Sequence, residues 1–310
     1  MKKTFALLVS VAAVGMLSGC NDTNSPAPVI SPPPPAPVTK ALSIAASKGA
    51  IVGATCDVFA LPRSASSASI GSGTTDANGL LQLTLPDLPN PVIVECAGGQ
   101  YFDEALSPPA FANLGAAIVR SVAVPSRTSV AVTPVTELAA ALALRRLAAL
   151  GDQAAAPGSA ITEVNAAVSE ITNALLPGID ILSAPTVVNT ATPNLGTSNA
   201  DLYAAYLAGF SKVAFAAGVS PFALTSTLNS DITDGSLDGR VGGQAVIGYT
   251  SFADLSNKLD AGAEEFATQS GNADTASAAN TYQAGSGATR EGSVSNAPSG
   301  GTGTGTGTGG

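Results

Sequence analysis

The sequence predicts an α+β protein, a small antiparallel β-sandwich followed by an Ala-rich α-helical domain. Three observations carry this. Short apolar or alternating runs occupy residues 41–125, at Ala50–Leu61, Leu80–Leu85, Val92–Ala97 and Ala116–Val124. Turn-forming clusters separate them, at Gly71-Ser72-Gly73, Asp76-Ala77-Asn78-Gly79, Pro89-Asn90-Pro91 and Gly98-Gly99. From Thr133-Pro134 onward the apolar spacing changes from two residues to the three-and-four rhythm of a helix.

Residues 1–19 read as a signal peptide. Lys2 and Lys3 form a positive start, and Phe5–Met16 is an apolar run too short for a permanent membrane span. The run ends in Leu17-Ser18-Gly19-Cys20, which resembles the lipobox of bacterial lipoproteins. That resemblance implies cleavage before Cys20 and lipidation of its thiol, which anchors the chain to a membrane through several acyl chains at roughly 0.8 kcal/mol per buried methylene. Asn21 rather than Asp follows the cysteine, which under the enterobacterial sorting rule implies the outer membrane, on its periplasmic or surface face. Residues 20–40 then hold seven prolines and few core-forming side chains. They predict a polyproline tether reaching up to roughly 60 Å at ~3.1 Å per residue.

Within residues 41–125, Asn78-Gly79 suits a turn needing positive φ. Cys56 falls in Ala54-Cys56-Val58-Ala60 and Cys96 in Val92-Val94-Cys96, both on the inward positions of period-two strands. With Cys20 consumed by lipid outside the cytoplasm, Cys56 and Cys96 are expected to form a disulfide; the alternative is two buried free thiols. A loop of about 40 residues closed this way stabilises by roughly 3–4 kcal/mol on the chain-entropy argument. Gly53-Ala54-Thr55-Cys56-Asp57-Val58-Phe59, Thr74-Thr75-Asp76-Ala77-Asn78-Gly79-Leu80 and Val92-Ile93-Val94-Glu95 together resemble the carboxypeptidase regulatory-like module, a transthyretin-like β-sandwich. Cys56 stands where that pattern usually has an aliphatic residue, and Leu81 where it often has an aromatic. The resemblance implies a fold, and a structural or binding module without catalytic residues.

The helical domain is expected over 126–270. Thr133 is placed as an N-cap with Pro134 at the first helical position, and Val135, Leu138, Leu142, Leu147 and Leu150 form the first stripe. Ile161, Val164, Val168, Ile171 and Leu175 form a second, ending at Pro177-Gly178. Leu202, Tyr206, Phe210, Val213 and Ala217 form a third; Ser220-Pro221 starts a fourth helix and Thr250 or Ser251 a fifth. Each stripe has a polar opposite face, so it is expected in a core rather than against lipid. The run Val132–Leu138 also looks like the junction to a helical region in a group of poorly characterised bacterial lipoproteins, a likeness that implies no activity. Residues 271–310 lose apolar periodicity and end in GGTGTGTGTGG, so they are expected to be a disordered Gly/Thr-rich tail.

Composition narrows the chemistry. Without residues 1–19 the chain keeps 11 basic against 22 acidic side chains, and such a surface repels nucleic acid and anionic lipid. Arg145-Arg146 is the densest cationic spot. There is no His, which removes Ser-His and Cys-His catalysis and His-ligated metal sites. No P-loop and no S-x-x-K dyad occur. Aromatics make up 5%, which disfavours a stacking-based sugar site. In Asp234-Gly235-Ser236-Leu237-Asp238-Gly239, oxygen side chains fall at positions 1, 3 and 5 and glycine at 6, as at the front of an EF-hand calcium loop. Position 12 is Ala245, so Asp234, Ser236 and Asp238 make a weak calcium site at most, and a Gly/Asp-rich turn between helices is the preferred reading. Asp76 and Asn78 read as turn formers. Asp103-Glu104 and Glu264-Glu265 are adjacent and point to different faces, so neither pair is an acid/base couple, and a solvated face is expected for each. The expectation is a non-catalytic, lipid-anchored cell-envelope protein without a cofactor, a binding or structural module for a protein or glycan partner and not for nucleic acid. The alternatives are a weak calcium-binding extracytoplasmic module and a hydrolase that uses only carboxylates.

Overall fold

A computed structural model describes residues 38–285 and 290–299. Cys20, its signal peptide and the proline-rich tether up to Pro37 lie outside the described residues; the tether expected through residue 40 is corrected at its end, where Thr39 and Lys40 already pair in the first strand. Ten strands come first: β1 (Thr39–Ala46), β2 (Ile51–Val52), β3 (Thr55–Ala60), β4 (Gly71–Thr74), β5 (Leu80–Pro86), β6 (Val92–Ala97), β7 (Gln100–Asp103), β8 (Ala110–Asn113), β9 (Ile118–Ala123) and β10 (Ser129–Val132). Then follow helices α1 (Pro134–Leu150), α2 (Pro157–Leu175), α3 (Asn199–Ala216) and α4 (Pro221–Asp231), a two-stranded hairpin of β11 (Arg240–Val241) and β12 (Gln244–Ala245), α5 (Phe252–Gln269) and α6 (Ala273–Ala284). The protein is α+β, and its strands pair mostly antiparallel.

The strands form sheets in the orders β4-β3-β6-β9, β10-β1-β5 and β2-β7-β8. In the first, Cys56 of β3 sits directly opposite Cys96 of β6 and the two are disulfide-bonded. Val92, Ile93 and Val94 are all buried. Successive side chains of a strand point to opposite faces, so β6 is covered on both sides rather than alternating inward and outward. One pairing departs from the antiparallel expectation: β10 runs parallel to β1, with Ser43 opposite Ser129 and Ala46 opposite Val132. β10 lies beyond residue 125 and leads straight into α1, so strand pairing continues to the foot of the first helix.

That foot is built locally. The Thr133 hydroxyl accepts from the Thr136 backbone N–H at 3.1 Å, the Thr136 hydroxyl accepts from the Thr133 backbone N–H at 2.7 Å, and Pro134 takes the position that needs no donor. The Thr133 hydroxyl also lies 2.6 Å from the buried Tyr203 hydroxyl of α3, so the cap of one helix is tied to the side of another. α1 packs against β9 on one side and α2 on the other, and α3 against α5. Ser198, Ser220 and Ser251 cap α3, α4 and α5 through their side chains. Residues 176–198 are irregular yet carry buried Ile179, Ile181, Leu182 and Val188. The carbonyls of Leu182 and Val188 accept from the N–H groups of Ala131 and Ala50, which satisfies strand donors that no further strand meets.

The expected structureless tail is corrected over most of the described residues beyond 271. Ala273–Ala284 is α6, and residues 290–299 form a strap across the helices. Leu237 N–H donates to the Gly292 carbonyl at 2.8 Å and Val294 N–H to the Gly235 carbonyl at 3.0 Å. Arg290 pairs with Asp260 at 2.7 Å, both nearly fully buried. Asn296 donates to the Ile232 carbonyl, and Ser299 N–H to Glu163. Composition missed the strap because it is held by backbone pairing and polar anchors, with Val294 its one fully buried apolar side chain. Residues 286–289 and 300–310 lie outside the described residues. All described residues belong to one compact unit. None of their helices is by itself long and apolar enough to cross a membrane.

Candidate binding site

The Asp234–Gly239 segment is organised by a residue just before it. Asp231, at the end of α4, is fully buried. Its carboxylate accepts from Gly239 N–H at 3.2 Å, Arg240 N–H at 3.0 Å and the Tyr249 hydroxyl at 2.5 Å. Burial lifts its pKa above the ordinary carboxylate value, against the pull of these donors. Asp238 accepts from Arg240 N–H at 2.9 Å, and Ser236 is bridged to Ser293 of the strap. Asp234 closes a 3-10 turn, with Gly235 after it in the left-handed region. All three residues lie in the segment between α4 and β11, and no group of three His, Cys, Asp or Glu side chains suited to a metal ion occurs among the described residues. Asp76 likewise shapes a turn, accepting from Asn78 N–H and Leu80 N–H at 2.8 Å each, and Gly79 adopts φ 75° where a Cβ would meet the Ala46 carbonyl.

Where β9, α1 and α4 meet, a cleft of about 440 Å³ opens, lined among others by Ile118, Arg120, Glu137, Arg145, Phe222 and Asn229. β9 delivers Arg120 and the first turn of α1 delivers Glu137. Arg120 donates to Glu137 through its backbone N–H at 2.7 Å, its Nε at 3.0 Å and its Nη2 at 2.5 Å. Hydrogen bonding to Glu137 raises the pKa of Arg120 despite burial. Asn229 of α4 donates to the same carboxylate at 3.3 Å. Two turns further along α1, Arg145 is matched differently. Its Nε donates to the Asn296 side-chain oxygen at 3.2 Å, but its Nη2 is buried without a partner among the described residues. Burial lowers its pKa, and the positive charges of Arg120 and Arg146 lower it further. The Asn229 side-chain oxygen is also buried and unpartnered. Arg146 is not among the cleft's lining residues; its charge is met by Glu170 and its Nη2 also by the Ser295 carbonyl, at 2.5 Å each, while its Nη1 is buried without a partner among the described residues.

A second groove of about 500 Å³ lies between α3 and α5 and contains Lys212 and Lys258. Both cations are already matched, to Glu265 at 3.0 Å and Asp254 at 2.9 Å. The β9–α1–α4 cleft is the one that holds an uncompensated cation. Arg145-Arg146 was visible in the sequence as its densest cationic spot; the convergence of Arg120, Glu137 and Asn229 on it was not, since it depends on a strand and a helix brought together by packing.

No family model matches the chain, and neither the curated proteins nor the solved structures contain a match.

Proposed function

We propose that the chain is a non-catalytic, lipid-anchored envelope protein of the outer membrane. In this reading its cleft between β9, α1 and α4 receives an anionic group, a carboxylate of a glycan or of a protein partner. The observation that carries it is Arg145, which lines the cleft and has a buried Nη2 without a partner among the described residues. A buried donor left unpaired costs about 1–3 kcal/mol, and an anion placed against it recovers that cost. The flanking Arg120–Glu137 pair, joined by the backbone N–H, Nε and Nη2 of Arg120, forms one wall, while Ile118 and Phe222 supply an apolar rim. The lipobox residues Leu17–Cys20 and the prolines after them support the anchor and tether. The Gly53–Phe59, Thr74–Leu80 and Val92–Glu95 segments, seen as β3, a turn and β6, support the finer reading of the strand region as a carboxypeptidase regulatory-like β-sandwich ahead of an Ala-rich helical region.

The test compares the tethered protein with its Arg145→Ala variant in affinity capture from solubilised envelopes, with elution by increasing acetate. The reading expects a bound species that the variant loses by at least tenfold and that acetate releases. Equal capture by both proteins would sink it.

A further inference from the structure

Outside the cleft, the strangest polar site in the molecule is a dry one. Lys48, in the turn between β1 and β2, and Glu104, just after β7, are in direct contact with both side chains fully buried. The adjacent carboxylates Asp103 and Glu104, expected on a solvated face, are both interior: Asp103 accepts from Ala105 N–H and the Tyr101 hydroxyl, and Glu104 faces Lys48 beneath α3. Gly49 permits the approach. It has φ +59°, and a Cβ there would meet the Phe102 carbonyl at 2.3 Å and Glu104 Oε1 at 3.0 Å.

As an ion pair this site is poorly satisfied. An ammonium has three donors, and Glu104 is the acceptor given to Lys48 Nζ among the described residues; the Tyr101 ring, 5.5 Å away, is its other neighbour of note. Glu104 Oε2 accepts additionally from the Ser211 hydroxyl at 3.1 Å, while Oε1 is buried with no partner. A desolvated ion pair is favourable only when its remaining donors and lone pairs are met, and here they are not.

We infer that Lys48 and Glu104 are the two halves of an intramolecular isopeptide bond that forms once the chain has folded. One proton passes from the Lys48 ammonium to the Glu104 carboxyl, giving a neutral amine and a carboxylic acid. The amine lone pair attacks Glu104 Cδ and the C–N bond forms. Oε1, the oxygen with no partner, leaves with its proton and one from nitrogen as water. Nothing is oxidised or reduced, and no co-reactant is needed. The product amide has one N–H and one carbonyl in place of three donors and two oxygens. Its carbonyl, Oε2, keeps the Ser211 hydroxyl, and its N–H faces the Tyr101 ring. The bond staples the β1–β2 turn to the end of β7. Tension entering from the N-terminal side at Thr39 meets this covalent stop after β1 and before it can reach β2.

Peptide mapping of the purified full chain tests this. The Cys56–Cys96 disulfide is first reduced and alkylated so that it links nothing, and trypsin is then added. The inference expects no cleavage after Lys48, and residues 41–63 recovered joined to residues 64–120, lighter by one water than the separate peptides. Recovery of 41–48 and of 64–120 at their full masses overturns it. The Lys48→Arg variant, which keeps a cation opposite Glu104 but cannot form this amide, is expected to yield an unmodified 64–120. Loss of water persisting in that variant would place the dehydration elsewhere and equally overturn the inference.

Discussion

Asp231 shows how one side chain can set the shape of a segment that reads as something else. Its two oxygens accept from two backbone N–H groups and one tyrosine hydroxyl. Asparagine has a single acceptor oxygen, so Asp231→Asn turns an NH₂ group onto a donor inside a buried site and loses at least one of these hydrogen bonds. The expected cost is about 1–3 kcal/mol, read as a lower urea midpoint at unchanged slope. Asp234→Asn, three residues on, removes no described hydrogen bond and is expected to shift stability by less than about 0.5 kcal/mol. Were Asp234 and Asp238 the organising pair of a calcium site, the order of these two effects in calcium-containing buffer would reverse. The same contrast separates Arg145 from Arg146. They are adjacent in sequence and both carry a positive charge and a buried donor without a partner, yet Arg146 is paired with the Glu170 carboxylate while Arg145 lines a cleft with only the Asn296 amide oxygen as acceptor among the described residues.

At the scale of elements, α1 is the hinge on which strands and helices join, and its first turn is the place to test that role. Thr133→Ala removes the side-chain acceptor of a capping box and also the contact to the Tyr203 hydroxyl. The cap alone contributes about 1 kcal/mol, and loss of the hydrogen bond to the Tyr203 hydroxyl, which keeps the Ile181 carbonyl as its acceptor, adds to it, so a loss of roughly 2 kcal/mol in thermal or chemical unfolding is expected. A loss under about 0.5 kcal/mol would mean that packing alone sets the helix start. This element was legible in the sequence, as were the Ser220 and Ser251 helix starts, because a cap, a proline and an apolar stripe are all local signals. The strands of the Cys56–Cys96 pair were legible for the same reason. β4 was not. Gly71 and Gly73 look like turn residues, but they are glycine because a Cβ at either would meet Leu85 or Leu81 of β5 at 2.3 and 2.6 Å. β10 was hidden because its parallel partner β1 lies far back in the chain, and no local pattern marks a parallel neighbour. Asp103 and Glu104 obey the alternation rule only if one face is wet; Lys48 and α3 make both faces dry. The candidate cleft was half visible, as the Arg145-Arg146 pair, with its opposing wall fixed only by tertiary contact.

For the whole molecule the pH response follows from which carboxylates the fold holds out of their ordinary range. Asp201 caps α3. Burial pushes its pKa up, but the hydroxyls of Ser198 and Thr186 and the N–H groups of Ser198 and Gly196 outweigh that and leave it below the usual value. Asp180 is lowered in the same sense: burial raises it, and Arg127, Ser183 and Leu182 N–H more than compensate. A carboxylate with a depressed folded-state pKa contributes stability that is present above its unfolded value of about 3.9 and is lost as pH falls through the folded one. Asp231 has the opposite sign: with its folded value raised, protonation on acidification adds stability rather than removing it. No His titrates between neutrality and pH 5. The melting temperature is therefore expected to change little from pH 7 to about 5 and to fall steeply below about 4. Asp201→Asn isolates one contributor. That variant is expected to melt lower than the wild type at pH 7, because the asparagine oxygen cannot replace both carboxylate acceptors. The gap should then close as pH drops below about 4, where the wild-type carboxylate takes up its proton and loses the same advantage. A gap that stays constant down to pH 3 would show that the variant's deficit is one of packing, and that the acid sensitivity of the fold resides elsewhere.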